Sequence, residues 1–160
     1  MINDISSLGS RELVLIFSAF IYFYLSITKG RSEARKYIFT VGLGIVLILT
    51  IKSITSSHTE ITFNTILTES LSNFPSGHTF IATVMYLAIT KYFSSSRNSR
   101  LANKYLYVSA SIIIALVGIS RFVGAGHTVT EVIAGWSLGL CWYTFAQIFL
   151  SLNKNSFAKS

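Results

Sequence analysis

Five apolar runs, at residues 13–28, 37–54, 79–93, 105–119 and about 129–150, leave this chain few ways to fold. So much apolar length cannot be hidden inside a water-soluble domain of this size. Composition agrees, with 51% hydrophobic and only 12% charged residues. The expected fold class is all-α, an integral membrane helical bundle of about five transmembrane helices. Three of the runs hold only about 15 or 16 residues, roughly 24 Å at 1.5 Å per residue. That is short of a hydrocarbon core of about 30 Å, so flanking residues must extend the helices or the bilayer must thin around them. No Pro/Gly-rich hinge, low-complexity segment or internal repeat divides the chain, so one membrane domain over 1–160 is expected. The opening MINDISSLGSRE has no basic leader and no cleavage-like site follows the first run, so that run is expected to be retained as a helix.

The net charge of +7 does not signal nucleic acid, because the basic residues form no face or tail. Lys29, Arg31, Arg35 and Lys36 follow the first run, and Lys91, Arg97, Arg100 and Lys104 surround the gap after the third, whereas residues 53–74 contain no Lys or Arg. The positive-inside rule then puts the basic segments in the cytoplasm, the N-terminus outside, and the tail with Lys154 and Lys159 inside. The expected location is a bacterial inner (plasma) membrane. Within the external segment at 57–74, the spacing of Phe63, Ile66, Leu67, Leu71 and Phe74 predicts an interfacial amphipathic helix, either a packing strap or a lid over acyl chains.

Polar chemistry collects at that external face, although the topology argument used none of it. The stretch SNFPSGHTF holds the chain's only proline and sets Pro75, Ser76, Gly77 and His78 at the external end of the third run. Ser120, Arg121, His127 and Glu131 span the last external segment and the start of the fifth helix, and Lys52 ends the second. These are the parts phosphoryl transfer needs: a nucleophile, a proton donor, an orienting carboxylate and cationic clamps. A tight turn that opens a helix adds unpaired N–H groups and a positive dipole end, an anion site. Cys141 stands alone and carboxylates are sparse, so neither a disulfide nor a metal site is expected.

Order and spacing resemble the type 2 phosphatidic acid phosphatases (PAP2), membrane lipid phosphatases whose three motifs run Lys-x6-Arg-Pro, Pro-Ser-Gly-His and Ser-Arg-x5-His-x3-Asp. The second motif is intact. The third ends in Glu131 rather than Asp, and the first has Thr59 and Glu60 where Arg and Pro are expected. The resemblance covers residues 52–131. It implies His127 as nucleophile, forming a phosphohistidine; Glu131 as the group that orients it; and His78 as the proton donor to the leaving oxygen. Arg121, Lys52, Ser76 and the Gly77 amide would hold the phosphate of a lipid phosphate or diphosphate, without any cofactor. Undecaprenyl diphosphate, phosphatidylglycerophosphate and lipid A phosphate all suit an external site. A lipid phosphotransferase, or a weakly active homologue that binds lipid or a membrane partner, stays open as an alternative. So do plainer readings: Glu131 as a helix cap, Arg121 and Lys52 as interfacial anchors, His58 as a solvated loop residue, Gly135 and Gly139 as helix packing, and Trp136 and Trp142 as packing or interface residues. Oligomeric state is left open.

Overall fold

The computed structural model describes residues 11–57, 74–94, 100–124 and 127–153. They form five helices: α1 (Arg11–Thr28), α2 (Arg31–Ser57), α3 (Gly77–Ser94), α4 (Arg100–Gly124) and α5 (Val129–Leu152). Of the external segment 57–74, Ser57 ends α2 and Phe74 is described, whereas residues 58–73, which carry most of the interfacial helix expected there together with His58, Thr59 and Glu60, lie outside the described residues.

Each apolar run became a helix, and the short ones were extended by their polar flanks. The run at 105–119 is the middle of α4, 25 residues long, which at 1.5 Å per residue reaches about 37 Å. α2 likewise begins at Arg31, six residues before its apolar run. Charged residues with long unbranched side chains are good helix formers, so the hydrogen-bond ladder continues where hydropathy stops. Lys36 meets Glu33 at 2.5 Å across this first stretch. Gly30, at φ 91°, takes a left-handed conformation that lets the chain reverse from α1 into α2 within two residues.

The bundle is built around α3, which packs against all four other helices. Ten of its residues are buried, from Thr79 to Tyr92, against only four in the longer α4. Leu25, Tyr37, Ile48, Phe80 and Met85 form the centre of the core. The outward surface is the reverse of a soluble protein's: Ile27 is 84% exposed, Leu152 79% and Ile16 70%. Such a surface is stable only in hydrocarbon. α2, α4 and α5 are each long and apolar enough to cross a membrane, and Val14–Thr28 is a shorter apolar helix. The chain is therefore an integral membrane helical bundle. α3, sheathed by its neighbours, can carry the buried hydroxyls of Thr79, Thr83 and Thr90 because protein rather than lipid surrounds it.

Small residues set the spacing of α3 and α5. A Cβ on Gly135 would lie 2.7 Å from the Ser76 carbonyl oxygen, and one on Gly139 would lie 2.8 Å from Thr83 Cβ. The GxxxG spacing is thus a helix-packing face, and its partner is the start of α3. Trp142 Nε1 donates to the Thr40 carbonyl at 2.8 Å and Trp136 Nε1 to the Ile114 carbonyl at 3.2 Å, so both indoles pack between helices. Gly135→Ala should push backbone against backbone and cost ~1–3 kcal/mol of stability. Thermal unfolding in detergent should show the loss. Gly42→Ala, whose added Cβ would meet only Ile38 Cγ2 at 3.9 Å, should leave the midpoint in place.

Candidate active site

The site residues meet at one end of the bundle, where α2 ends, α3 begins, α4 ends and α5 begins. Glu131 is the third residue of α5, and Thr128 is its N-cap. The Thr128 N–H donates to Glu131 Oε2 at 3.3 Å, while Glu131 N–H donates to Thr128 Oγ1 at 3.4 Å. This reciprocal capping box satisfies two of the amides that a helix start leaves unpaired. It also fixes the carboxylate. The same Oε2 meets His127 Nδ1 at 2.6 Å, and Glu131 is 1% exposed. Capping and orienting a histidine, set against each other from sequence, are done at once by one oxygen.

With Nδ1 engaged by the carboxylate, the lone pair of a neutral His127 lies on Nε2. A buried carboxylate bonded to the far nitrogen holds the ring in that tautomer and favours positive charge on it as Nε2 forms a bond. That is the electronic arrangement of a histidine nucleophile or base.

The Pro-Ser-Gly-His turn is tied to this pair through the main chain. Ser76 N–H donates to the Glu131 carbonyl at 3.1 Å, and Phe80 N–H returns to the Ser76 carbonyl at 3.0 Å to open α3. Thr55 Oγ1, near the end of α2, lies 3.2 Å from the Phe74 carbonyl and 3.1 Å from the Ile51 and Lys52 carbonyls, so its one proton is shared between its own helix and the turn. Ser76 is completely buried, and its Oγ accepts the Thr79 hydroxyl at 2.9 Å, which leaves the serine's own proton to be donated. Gly77 and His78 occupy the first turn of α3 and are partly exposed. Their amides point out of a helix N-terminus, where the dipole favours an anion.

Lys52 reaches the same spot. Its Cε would lie 3.2 Å from a Cβ on Gly77, so the lysine stem crosses the glycine, and the absent side chain makes room for it. Ser120 and Arg121, expected in the loop, belong instead to the last turns of α4, which continues to Gly124; Ser120 is buried and Arg121 partly so. Helical placement holds Arg121 more firmly than a loop would. Lys52, Ser76, Gly77, His78, Arg121, His127 and Glu131 thus share one end of the bundle, with hydrogen bonds joining Glu131 to His127 and to Ser76 and the Lys52 stem lying beside Gly77. Three residues support the site without having been named for it from sequence. Thr128 was visible as the Thr-x-x-Glu capping pattern, Gly135 carried only a packing signal, and Thr79 carried none.

Fold and site together describe a membrane helical bundle in which a carboxylate-held histidine is linked to a glycine turn at a helix N-terminus. A family model described as the PAP2 superfamily matches residues 33–154, and the chain belongs to that family. It is 40% identical over 83 residues to phosphatidylglycerophosphatase B of Bacillus subtilis (strain 168), covering 51% of this chain and 40% of that protein. A PA-phosphatase related-family protein of Dictyostelium discoideum is 39% identical over 82 residues, covering 48% of this chain and 24% of the relative. The chain therefore spans less than half the length of these curated relatives. The crystal structure of the transmembrane PAP2-type phosphatidylglycerolphosphate phosphatase from Bacillus subtilis superposes with a TM-score of 0.74 at 27% identity, covering 95% of this chain and 76% of that one.

Proposed function

We propose that this protein is a lipid phosphate phosphatase, a phosphoric ester hydrolase that works through a phosphohistidine on His127 and requires no metal or other cofactor. The observation that carries the reading is the 2.6 Å bond between His127 Nδ1 and Glu131 Oε2, on a glutamate whose main-chain carbonyl accepts the Ser76 N–H of the Pro-Ser-Gly-His turn. Phosphatidylglycerophosphate is the first candidate substrate, since a relative and a structural neighbour carry that name.

In the proposed reaction the substrate phosphate lies over the start of α3, held by the Lys52 and Arg121 cations, the Ser76 hydroxyl and the Gly77 N–H, which has no acceptor within its own helix. His127 Nε2 attacks phosphorus. The P–N bond forms as the bond to the lipid oxygen breaks, and His78 gives that oxygen its proton. Water, losing a proton to the now neutral His78, then attacks the phosphohistidine; the P–N bond breaks, inorganic phosphate leaves and His127 is restored. Glu131 stays ionised throughout and offsets the charge that develops on the His127 ring.

The site is assigned to the external face of a bacterial plasma membrane. Support comes from the charge asymmetry: Lys29, Arg31, Arg35, Lys36, Lys91 and Arg100 all lie at the opposite end of the bundle. Right-side-out vesicles carrying the protein should release phosphate from phosphatidylglycerophosphate supplied outside, resist chelators, and be inhibited by vanadate. Release only after permeabilisation would move the site to the inner face, and no release from any lipid phosphate would remove the hydrolase reading.

A further inference from the structure

The end of the bundle opposite His127 holds a second polar pocket, for which the phosphatase reading has no use. Its volume is about 300 Å³, and three helices line it: Glu33 and Lys36 from the start of α2, Lys91 and Tyr92 from the end of α3, and Gln147 and Ser151 from the end of α5. Each of these residues lies within about two turns of its helix terminus. α2 alone, at 27 residues, rises about 40 Å against a hydrocarbon core of about 30 Å. The pocket therefore stands where hydrocarbon gives way to headgroups.

Its charges do not balance. The Glu33 carboxylate meets Lys36 Nζ at 2.5 Å and also acts electrostatically on Lys29. The Lys29 ammonium in turn donates to the Tyr92 carbonyl, on one of the residues that line the pocket. Lys91 is exposed and has no hydrogen bond or ion pair among the described residues. Three ammonium groups thus face one carboxylate, and that carboxylate is already engaged. Gln147 adds a neutral donor, since its amide carries two protons and the Thr40 hydroxyl oxygen, at 3.5 Å, takes one. Ser151 gives its proton to the Ile148 carbonyl at 2.7 Å. A divalent cation has no ligand set here, whereas an anion with several acceptor oxygens fits Lys36, Lys91 and Gln147 together.

Depth decides which anion. A phosphodiester lies at the hydrocarbon boundary of every phospholipid, carries one negative charge and has two free oxygens to share between ammonium groups. Basic pockets between transmembrane helices recognise anionic headgroups in this way. The rest of the headgroup matters as well. A choline or ethanolamine cation would need a carboxylate, and Glu33 is held by Lys36, so the excess positive charge disfavours zwitterionic lipids.

We propose that this pocket is a structural lipid site, which binds the phosphodiester of an anionic phospholipid in the leaflet opposite the catalytic end. Lys36, Lys91 and Gln147 belong to α2, α3 and α5, so one bound phosphate ties three helix ends together and stabilises the bundle.

Protein stripped of lipid in a neutral detergent and titrated with dioleoyl phosphatidylglycerol tests the site through its thermal midpoint. Wild type should show a rise that saturates with phosphatidylglycerol and is much smaller with dioleoyl phosphatidylcholine. Lys91→Gln should increase the lipid concentration at half-effect about fivefold, the scale of one cation lost near an anionic headgroup. Lys36→Gln should increase it further, because it also removes the cation that engages Glu33. Lys91→Arg keeps the charge and should keep the response. Arg121→Gln, at the other end of the bundle, should leave the titration unchanged, which separates this pocket from lipid held beside His127. Equal rises with the two lipids overturn the proposal, as does a response to phosphatidylglycerol that persists in both Lys91→Gln and Lys36→Gln, or one lost only in Arg121→Gln. Inorganic phosphate should not reproduce the rise; if it does, the ligand is a free anion and the lipid assignment is wrong. No arm requires turnover, so failure here leaves the phosphatase reading standing, and failure of that reading leaves this site standing.

Discussion

Replacement of His127 by alanine should lower kcat on lipid phosphates by about five to six orders of magnitude, the scale seen when a covalent nucleophile is removed from an otherwise intact site. The fold should survive. His127 precedes the Thr128 cap, and the capping box closes through the Thr128 amide and hydroxyl and the Glu131 carboxylate and amide, none of which the substitution touches. The groups proposed to hold phosphate, Lys52, Ser76, Gly77 and Arg121, remain, so the variant should still bind vanadate or substrate while failing to turn over. Phosphate release measured beside vanadate binding separates that outcome from unfolding, which would remove both.

Glu131→Gln should cost roughly two to four orders of magnitude in kcat, by analogy with loss of the orienting carboxylate in a catalytic triad. The substitution is informative because the two duties of Glu131 respond differently. A capping box accepts glutamine as readily as glutamate, so the amide oxygen can still take the Thr128 N–H and α5 should still begin where it does. What is lost is the buried negative charge 2.6 Å from His127 Nδ1. An amide there would neither balance the charge on the ring of the proposed phosphohistidine nor enforce the tautomer with its lone pair on Nε2. Unchanged thermal stability with a large fall in kcat is the expected pair of results; equal falls in both would make Glu131 a cap and nothing more.

Much of this architecture was legible in the chain itself. Apolar runs gave the number and order of helices because lipid-facing positions must be apolar all along a span, as Ile16, Ile27 and Leu152 are. Helix ends were less legible: α2 and α4 start in charged sequence, where hydropathy carries no signal but the hydrogen-bond ladder persists. The same holds at the far end of α4, where Arg121 was expected in a loop and stands in the last turn of the helix. The central position of α3 was not legible either, since its threonines lower its hydropathy and their burial becomes intelligible only once four helices surround it.

At the site, motif order brought Pro75–His78 and Ser120–Glu131 to one face, yet their physical coupling needed the fold. The Ser76 N–H to Glu131 carbonyl bond joins residues 55 positions apart, and the contact depends on Gly135 and Gly139 letting α5 approach α3. Lys52 stood evenly between anchor and ligand in sequence because its motif had lost its Arg-Pro partners. Its stem lying across Gly77 puts it within the candidate site.

The most direct test is to locate the phosphoryl group itself. Wild-type protein turning over lipid phosphate labelled at phosphorus, quenched in alkali where phosphohistidine survives, should carry label on the peptide containing His127, and His127→Ala should carry none. Steady turnover with no label on the protein, or label on any other residue, would contradict the account.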